Sequence, residues 1–357
     1  MTARGLKLLK AGCPLECGKL NVMKSVHLVI PDLFLPKDFA AEGCRGLSLP
    51  ALEKLLGRGH SEIQEAVPLE NLLCELFGVS GQGDAPVAPI SAAFDGLGDG
   101  CWLRADPVHL NFQRNQMLLA SMQPSGEEAA QFCASLNAHF AGQDIEFFVP
   151  HPQRWYVRLD KLPRIRTTPP SEVLGGNVRN ALPAGEDAAH WHQLFNEIQM
   201  LLFAHPLNRA REERGDLMIN SVWFWGGGCV ISPPRRNYLS VHSDEVHTEM
   251  LAAAAGIPFT KLSEQWSESA GDGKQLLVWT GLSSSLQRGD LAAWQTDLQD
   301  FEINYAQPIW QALLRGKLVQ LQLDILCGYG IRRVQLKRGD TWAFWRCASP
   351  LARYSIV

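Results

Sequence analysis

The densest run of chemistry-bearing side chains is His205-Pro206-Leu207-Asn208-Arg209-Ala210-Arg211, followed by Asn220 and then by Trp223-Phe224-Trp225-Gly226-Gly227-Gly228. The pattern predicts a helix end, a polar connector and a strand end, which would gather imidazole, amide and guanidinium groups. Arg211 can grip an anionic group through two parallel hydrogen bonds, and Asn220 can fix its orientation. A second reading stands beside this one: Asn208 and Arg211 cap the helix and tie two parts of the chain together. The glycine triplet lacks the G-x-G-x-x-G order and no helix pattern follows it, so it is no dinucleotide fingerprint. Its physical use is close approach of the backbone to a neighbour or ligand.

Other constellations carry less. In His242-Ser243-Asp244-Glu245-Val246-His247 the histidines lie five apart. They diverge on a helix and face opposite sides on a strand. That is not the one-turn spacing of H-E-x-x-H. His190 and His192 flank Trp191 and read as surface residues of a helix. Cys13 and Cys17 have the spacing of half a zinc site, yet no second close pair exists. Nine scattered cysteines, an odd number, predict reduced thiols and a cytoplasmic location. No nucleophile elbow or phosphate-binding lysine loop is present.

The elements that must position these groups follow from hydrophobic periodicity. Lys24 to Asp32 reads as a buried first strand with Asp32 at its carboxyl end, the edge where ligands collect in open α/β sheets. Helices are predicted over Pro50–Leu56, Pro68–Phe77, Ser125–Phe140 (opened by a Ser125/Glu128 capping box), Ala188–Ala204, Glu249–Ala255 and Asp290–Leu314. Strands are predicted at Ile145–Val149 and Trp155–Leu159 as a hairpin, and at Leu217–Trp225, Gln275–Trp279, Val319–Leu326, Ile331–Leu336 and Thr341–Arg346. Gly78 to Gly100 is rich in glycine and proline and marks a boundary. The order predicts an α/β core over 23–100 and 216–357, an inserted α+β subdomain over 101–215, and an irregular extension over 1–22.

Composition bounds the function. The chain has 357 residues, 46% of them hydrophobic, with a net charge of −4, so a sizeable core is available and a globally basic nucleic-acid coat is excluded. No apolar run approaches the ~18 residues of a membrane span, and no membrane partner is expected. Of the 11 tryptophans, those at 223–225 and 342–345 would form a partner surface if exposed.

The strings Arg154-Trp155-Tyr156-Val157-Arg158, Asn196-Glu197-Ile198-Gln199-Met200, His205 to Arg211 and Asn220 to Gly226 resemble a family of proteobacterial proteins described as RpfE-type regulatory or phosphoglycerate-mutase-like. More distantly, H-P-x-N-x-x-R with a later asparagine and a tryptophan-glycine strand end is similar to archaeal-type cofactor-independent phosphoglycerate mutases, relatives of alkaline phosphatase. The resemblance implies an alkaline-phosphatase-like core sheet with helices on both faces and an inserted subdomain. It also implies two divalent metals held by aspartates and histidines, and a serine nucleophile whose charge the metals manage. Asp32 matches the first-strand aspartate of that set. The rest departs. No serine stands in a nucleophile setting around Glu70 to Gly78, Thr280-Gly281-Leu282-Ser283 replaces an aspartate and a histidine, and Leu326-Cys327-Gly328 replaces aspartate-histidine-serine.

The expectation is a bacterial pseudoenzyme with a regulatory or anionic-metabolite-binding role and no cofactor. Arg158, His205, Asn208, Arg211 and Asn220 would line a cleft between core and insert and meet a phosphorylated small molecule. An active metal-dependent mutase or phosphatase is the alternative. It would need ligands rebuilt from His27, Asp32, His242, Asp244, His247 and Asp324. A protein-interaction module is the third reading.

Overall fold

Alternation along the first strand sets the architecture. Val26, Leu28 and Ile30 face one core while Val29 faces another. This computed structural model describes residues 24–81, 84–113, 116–174, 176–229, 232–268 and 271–355. The extension and the Cys13/Cys17 pair expected from sequence lie outside the described residues. In chain order the strands are β1 (Ser25–Pro31), β2 (His60–Gln64), β3 (Cys101–Gln113) and β4 (Gln116–Ser121). They continue with β5 (Glu146–His151), β6 (Arg154–Leu159), the short pair β7 (Ile165–Arg166) and β8 (Ala184–Gly185), and β9 (Ser221–Gly228). The last five are β10 (Ser240–Ser243), β11 (Phe259–Lys261), β12 (Lys274–Val278), β13 (Gln320–Cys327) and β14 (Gly330–Lys337).

Seven strands form the larger sheet in the order β11-β10-β12-β1-β13-β14-β2. The first five of these run parallel, and β14 and β2 close one side antiparallel. Such sheets need cover on both faces. Helices Pro50–Arg58, Leu291–Phe301 and Gln307–Leu314 bury Leu52, Leu55, Trp294, Leu298 and Leu313 against one face. Helices Leu69–Leu76 and Val246–Ala254 cover the other through Leu72, Leu73, Met250 and Leu251. The fold is mixed α/β, as expected. The run expected as one helix over 290–314 contains a π-turn at Glu302–Ala306, just before Pro308, which has no N–H to donate. Glu302 is buried there because its carboxylate accepts the Ala51 and Leu52 amides at 2.7 and 2.9 Å, completing the start of the Pro50 helix.

The smaller sheet is antiparallel, β4-β3-β6-β5, with β9 on the other side of β3. Thus β9, expected in the core because it follows residue 216, belongs to the smaller sheet. An apolar run announces a buried strand but not its neighbour, and the pairing is decided by contacts such as Trp191 on Phe224, with ring centroids 5.0 Å apart. The glycines that end β9 pack closely against protein. A Cβ on Gly228 would stand 2.6 Å from Pro86, and Gly226 adopts φ +68.

Three further expectations are corrected. Cys101 and Cys229 form a disulfide, not two thiols, because the Trp102–Gly228 register makes them the next facing pair, with Cα atoms 3.9 Å apart. Disulfides persist in oxidising compartments, so the bridge removes the ground on which a cytoplasmic location was expected. Residues Pro206–Glu213 form a helix with Pro206 in its first turn, where a charged connector was expected. The strand expected at Thr341–Arg346 is a 3₁₀ turn, Arg338–Trp342, followed by an irregular turn. Finally, β2 and the helix Val87–Phe94 carried no periodicity strong enough to announce them. Among the described residues no helix is long and apolar enough to cross a membrane.

Candidate functional site

Parallel strands bring their carboxyl ends to one edge, and there the larger sheet opens into a cleft of about 510 Å³. Asp32 ends β1. Glu245 and His247 follow β10, Thr280 and Ser283 follow β12, and Cys327 and Gly328 end β13. Glu70, from the first turn of the Leu69 helix, and Ser171 and Glu172 cover the opening from the other side.

Asp32 is the one non-glycine residue in the left-handed region among the described residues, with φ +60. Aspartate tolerates that conformation better than most residues, and here it turns the chain sharply out of the sheet. Its carbonyl accepts the Trp294 indole N–H at 3.1 Å. Burial raises the carboxyl pKa, and a hydrogen bond with Ser283 partly offsets the rise. Burial also raises Glu172, and the Asp32 charge pushes it the same way.

A half-buried ion pair forms the floor. His247 Nδ1 and Glu245 Oε1 are 2.6 Å apart. Glu245 Oε2 accepts the Thr248 backbone N–H at 2.7 Å and its hydroxyl at 3.0 Å, capping the Val246 helix. Burial opposes both charges, yet each partner rescues the other: Glu245 is held down at about 2 and His247 above its ordinary value. The His247 ring meets Trp225 edge-on at 5.3 Å, and its Nε2 is buried without a hydrogen-bond partner. Glu70 accepts the Ser171 hydroxyl at 2.5 Å, and burial raises its pKa.

The residues expected to line this cleft do not. Asn208 is 1% exposed; its Nδ2 donates to Leu202 O at 2.7 Å and Ile219 O at 2.9 Å, and its Oδ1 accepts the Ile219 N–H at 2.9 Å. Arg211 donates to Leu217 O at 2.8 Å and pairs with Glu128 at 2.9 Å. His205 caps its helix and its Nε2 meets Ser135 Oγ at 2.9 Å. Asn220 exchanges two hydrogen bonds with the Leu110 backbone, at 2.7 and 2.9 Å. Arg158 is exposed, its guanidinium 5.9 Å from the Trp102 ring. The string is therefore a set of clasps joining helices 126–139, 188–203 and 206–213 to the smaller sheet. The contacts of Asn208 and Arg211 are those of capping and packing.

The rebuilt metal set does not converge either. His27 and Asp324 form a pair inside the sheet, 2.9 Å apart, with Arg333 bonded to both Asp324 oxygens at 2.7 Å. Asp244 accepts the Thr280 N–H, and His242 meets Ser240 at 3.1 Å. Among the described residues no three histidine, cysteine, aspartate or glutamate groups are arranged to hold a metal ion. Glu245 is bonded to His247 and Thr248 and Glu70 to Ser171, and no three such groups converge, so the side chains of the cleft do not fit a bimetallic centre.

The cleft's charged lining is Asp32, Glu70, Glu172, Glu245 and His247, with no lysine or arginine. An unassisted phosphate would meet carboxyl groups there. Glu70, Ser171 and Glu172 carried no motif; only the topology brings them to the opening. Trp223 and Trp225, weighed as a partner surface, are buried, with indole N–H groups bonded to Thr168 O and Asp106 Oδ2 at 2.8 and 2.7 Å.

Fold and cleft together define an α/β protein whose site lies at the carboxyl edge of a mostly parallel sheet, beside a second antiparallel sheet. Sequence similarity then points to a particular scaffold. The chain is 23% identical over 193 residues, 50% of its length and 48% of the relative's, to a 2,3-bisphosphoglycerate-independent phosphoglycerate mutase of Methanosarcina acetivorans. It is 29% identical over 106 residues, 29% of its length and 27% of the relative's, to the enzyme of the same name from Methanosarcina barkeri. The matched stretches span from about a quarter to about half of those relatives. No family model matches. Among solved structures, the PH0037 protein from Pyrococcus horikoshii shares the fold, with a TM-score of 0.54 at 13% identity over 93% of this chain and 92% of that one. The chain has a phosphoglycerate-mutase-like scaffold.

Proposed function

We propose that this chain is a catalytically degenerate phosphoglycerate-mutase-like protein with a regulatory role. One observation carries the reading: where the sheet gathers its carboxyl ends, no three histidine, cysteine, aspartate or glutamate groups among the described residues converge on a metal position. The helix that borders the site from 69 to 76 carries Glu70 in its first turn, a carboxyl group that cannot serve as the alcohol nucleophile of phosphoryl transfer. The RpfE-type family resemblance agrees with such a role.

The test is direct. Full-length protein purified without chelator is expected to carry no stoichiometric metal and to leave 3-phosphoglycerate unchanged, with or without manganese. A pair of bound metals together with turnover overturns the reading. An active mutase has one feature in its favour, Asp32 at the end of β1 with its carboxyl group in the cleft. The same assay decides between the two.

A further inference from the structure

Among the described residues the large apolar side chains that stand furthest into solvent are Phe344, Trp345 and Trp342, exposed by 79%, 70% and 68%. Thr341 and Ala343, between and beside them, are buried. The turn that presents the rings is tied down. Ala343 N donates to Asp340 O at 3.0 Å, Phe344 N to Trp342 O at 2.8 Å and Arg346 N to Ala343 O at 2.9 Å. The Arg58 guanidinium donates to Thr341 O, and Arg346 Nη1 donates back to Arg58 O at 2.9 Å. The aromatic rings are thus held outward by a fixed turn with buried anchors. Each such side chain offers roughly 150–250 Å². Three of them, two-thirds exposed or more, make a patch as large as those that mark interaction sites.

The surrounding charge is one-sided. From 337 to 353 the chain carries Lys337, Arg338, Arg346 and Arg353 against Asp340 alone, so four minus one gives +3, on a chain whose total is −4. All four cations are exposed, and Asp340 already faces Arg346 at 3.6 Å. We propose that the Trp342-Ala343-Phe344-Trp345 turn is a membrane-docking element, seating its rings in the interface of an anionic bilayer while Arg338, Arg346 and Arg353 meet the headgroups. Tryptophan favours that interface, and basic residues near an anionic surface add attraction. A second copy of the chain fits less well, since a two-fold contact would set these cations against themselves. The proposal revises the expectation of no membrane partner, which rested on the lack of a spanning segment. It rests on nothing in the cleft.

Co-sedimentation of the full-length protein with vesicles tests it. Vesicles of phosphatidylcholine mixed with phosphatidylglycerol are expected to retain the protein at low salt, and those of phosphatidylcholine alone to release it. High salt should weaken retention by screening the exposed cations. The W342S/F344S/W345S variant should lose about tenfold or more in partitioning. Its urea midpoint should stay put, because the altered side chains support no core. Brominated lipid should quench tryptophan fluorescence of the parent and not of the variant beyond its buried background. No retention at any lipid composition overturns the proposal, as does retention that the triple variant leaves unchanged. Self-association, or binding to polyglutamate, that depends on these three residues without vesicle binding assigns the patch to a protein partner and equally overturns it.

Discussion

His27 Nε2 lies 2.9 Å from Asp324 Oδ2, and both side chains are fully buried on the face of the sheet that meets the smaller sheet. His27 Nδ1 is 2.9 Å from the Tyr238 hydroxyl, and Arg333 holds both oxygens of Asp324. Burial depresses the His27 pKa against the pull of Asp324; the bonds from Arg333 and His27 hold Asp324 well below the usual carboxylate range despite its own burial. In the neutral imidazole that burial favours, Nε2–H donates to Asp324 and Nδ1 accepts from the Tyr238 hydroxyl. Both folded pKa values lie below their unfolded counterparts, so the unfolded chain binds more protons as pH falls. Stability from this network is complete above the ordinary histidine value of 6.5 and is lost as pH drops through the histidine and then the carboxylate range. D324N should cost about 3–5 kcal/mol, the cost of leaving a buried partner uncompensated. Urea midpoints measured from pH 8 down to 4 should fall more steeply through the histidine range in the variant than in the parent, because the carboxylate that pulls the His27 pKa up is gone; an unchanged slope refutes the assignment.

The Glu245–His247 pair runs the other way. His247 is raised, so its contribution is fully present below the unfolded histidine value and is lost as pH rises through the folded one. E245Q keeps an oxygen for the Thr248 amide but removes the charge. Its cost should be about 2–4 kcal/mol near pH 6, shrinking at higher pH, with the His247 ring titrating at lower pH in NMR. A His247 titration that does not move shows that the carboxylate is not what holds the proton.

How much of this was legible from the residues depended on whether the information was local. The Ser125/Glu128 capping box predicted the helix start, and both reciprocal bonds form. The alternation of Val26, Leu28 and Ile30 predicted β1. The His205 to Asn220 string was legible as an important cluster, but its types suit clasps and ligand contacts equally. Only the nearness of Leu202, Ile219 and Leu110 carbonyls decides which they are. Glu70, Ser171 and Glu172 come from segments about 100 residues apart and meet through topology alone. The Cys101–Cys229 bridge, 128 residues in span, was hidden for the same reason.

That bridge supports a prediction about stability. It closes a loop that includes most of the smaller sheet, and cross-links over long loops stabilise by about 2–4 kcal/mol, chiefly by restricting the unfolded chain. The C101S/C229S variant, or the parent under reductant, should unfold at correspondingly lower urea. Non-reduced peptide mapping should link the peptides that contain these two cysteines. Free thiols at both positions in protein from an oxidising preparation refute the pairing.

Asn208 separates clasp from ligand contact most cleanly. Its amide makes three buried bonds to the main chain, all between residues 202 and 219. N208A deletes them and strips the amide's bonds from the buried Ile219 carbonyl and N–H, while Leu202 O keeps the His205 N–H. At about 1 kcal/mol for each lost bond, with an added penalty for stranded groups, the loss should reach about 3–5 kcal/mol. Asn208→Asp should fare nearly as badly, because a carboxylate accepts the Ile219 N–H but faces the Leu202 and Ile219 carbonyls without a donor. A thermal-shift series with phosphorylated small molecules should show the same null ligand response in parent and variant. A ligand that stabilises the parent and loses its effect in N208A would return this residue to a binding role.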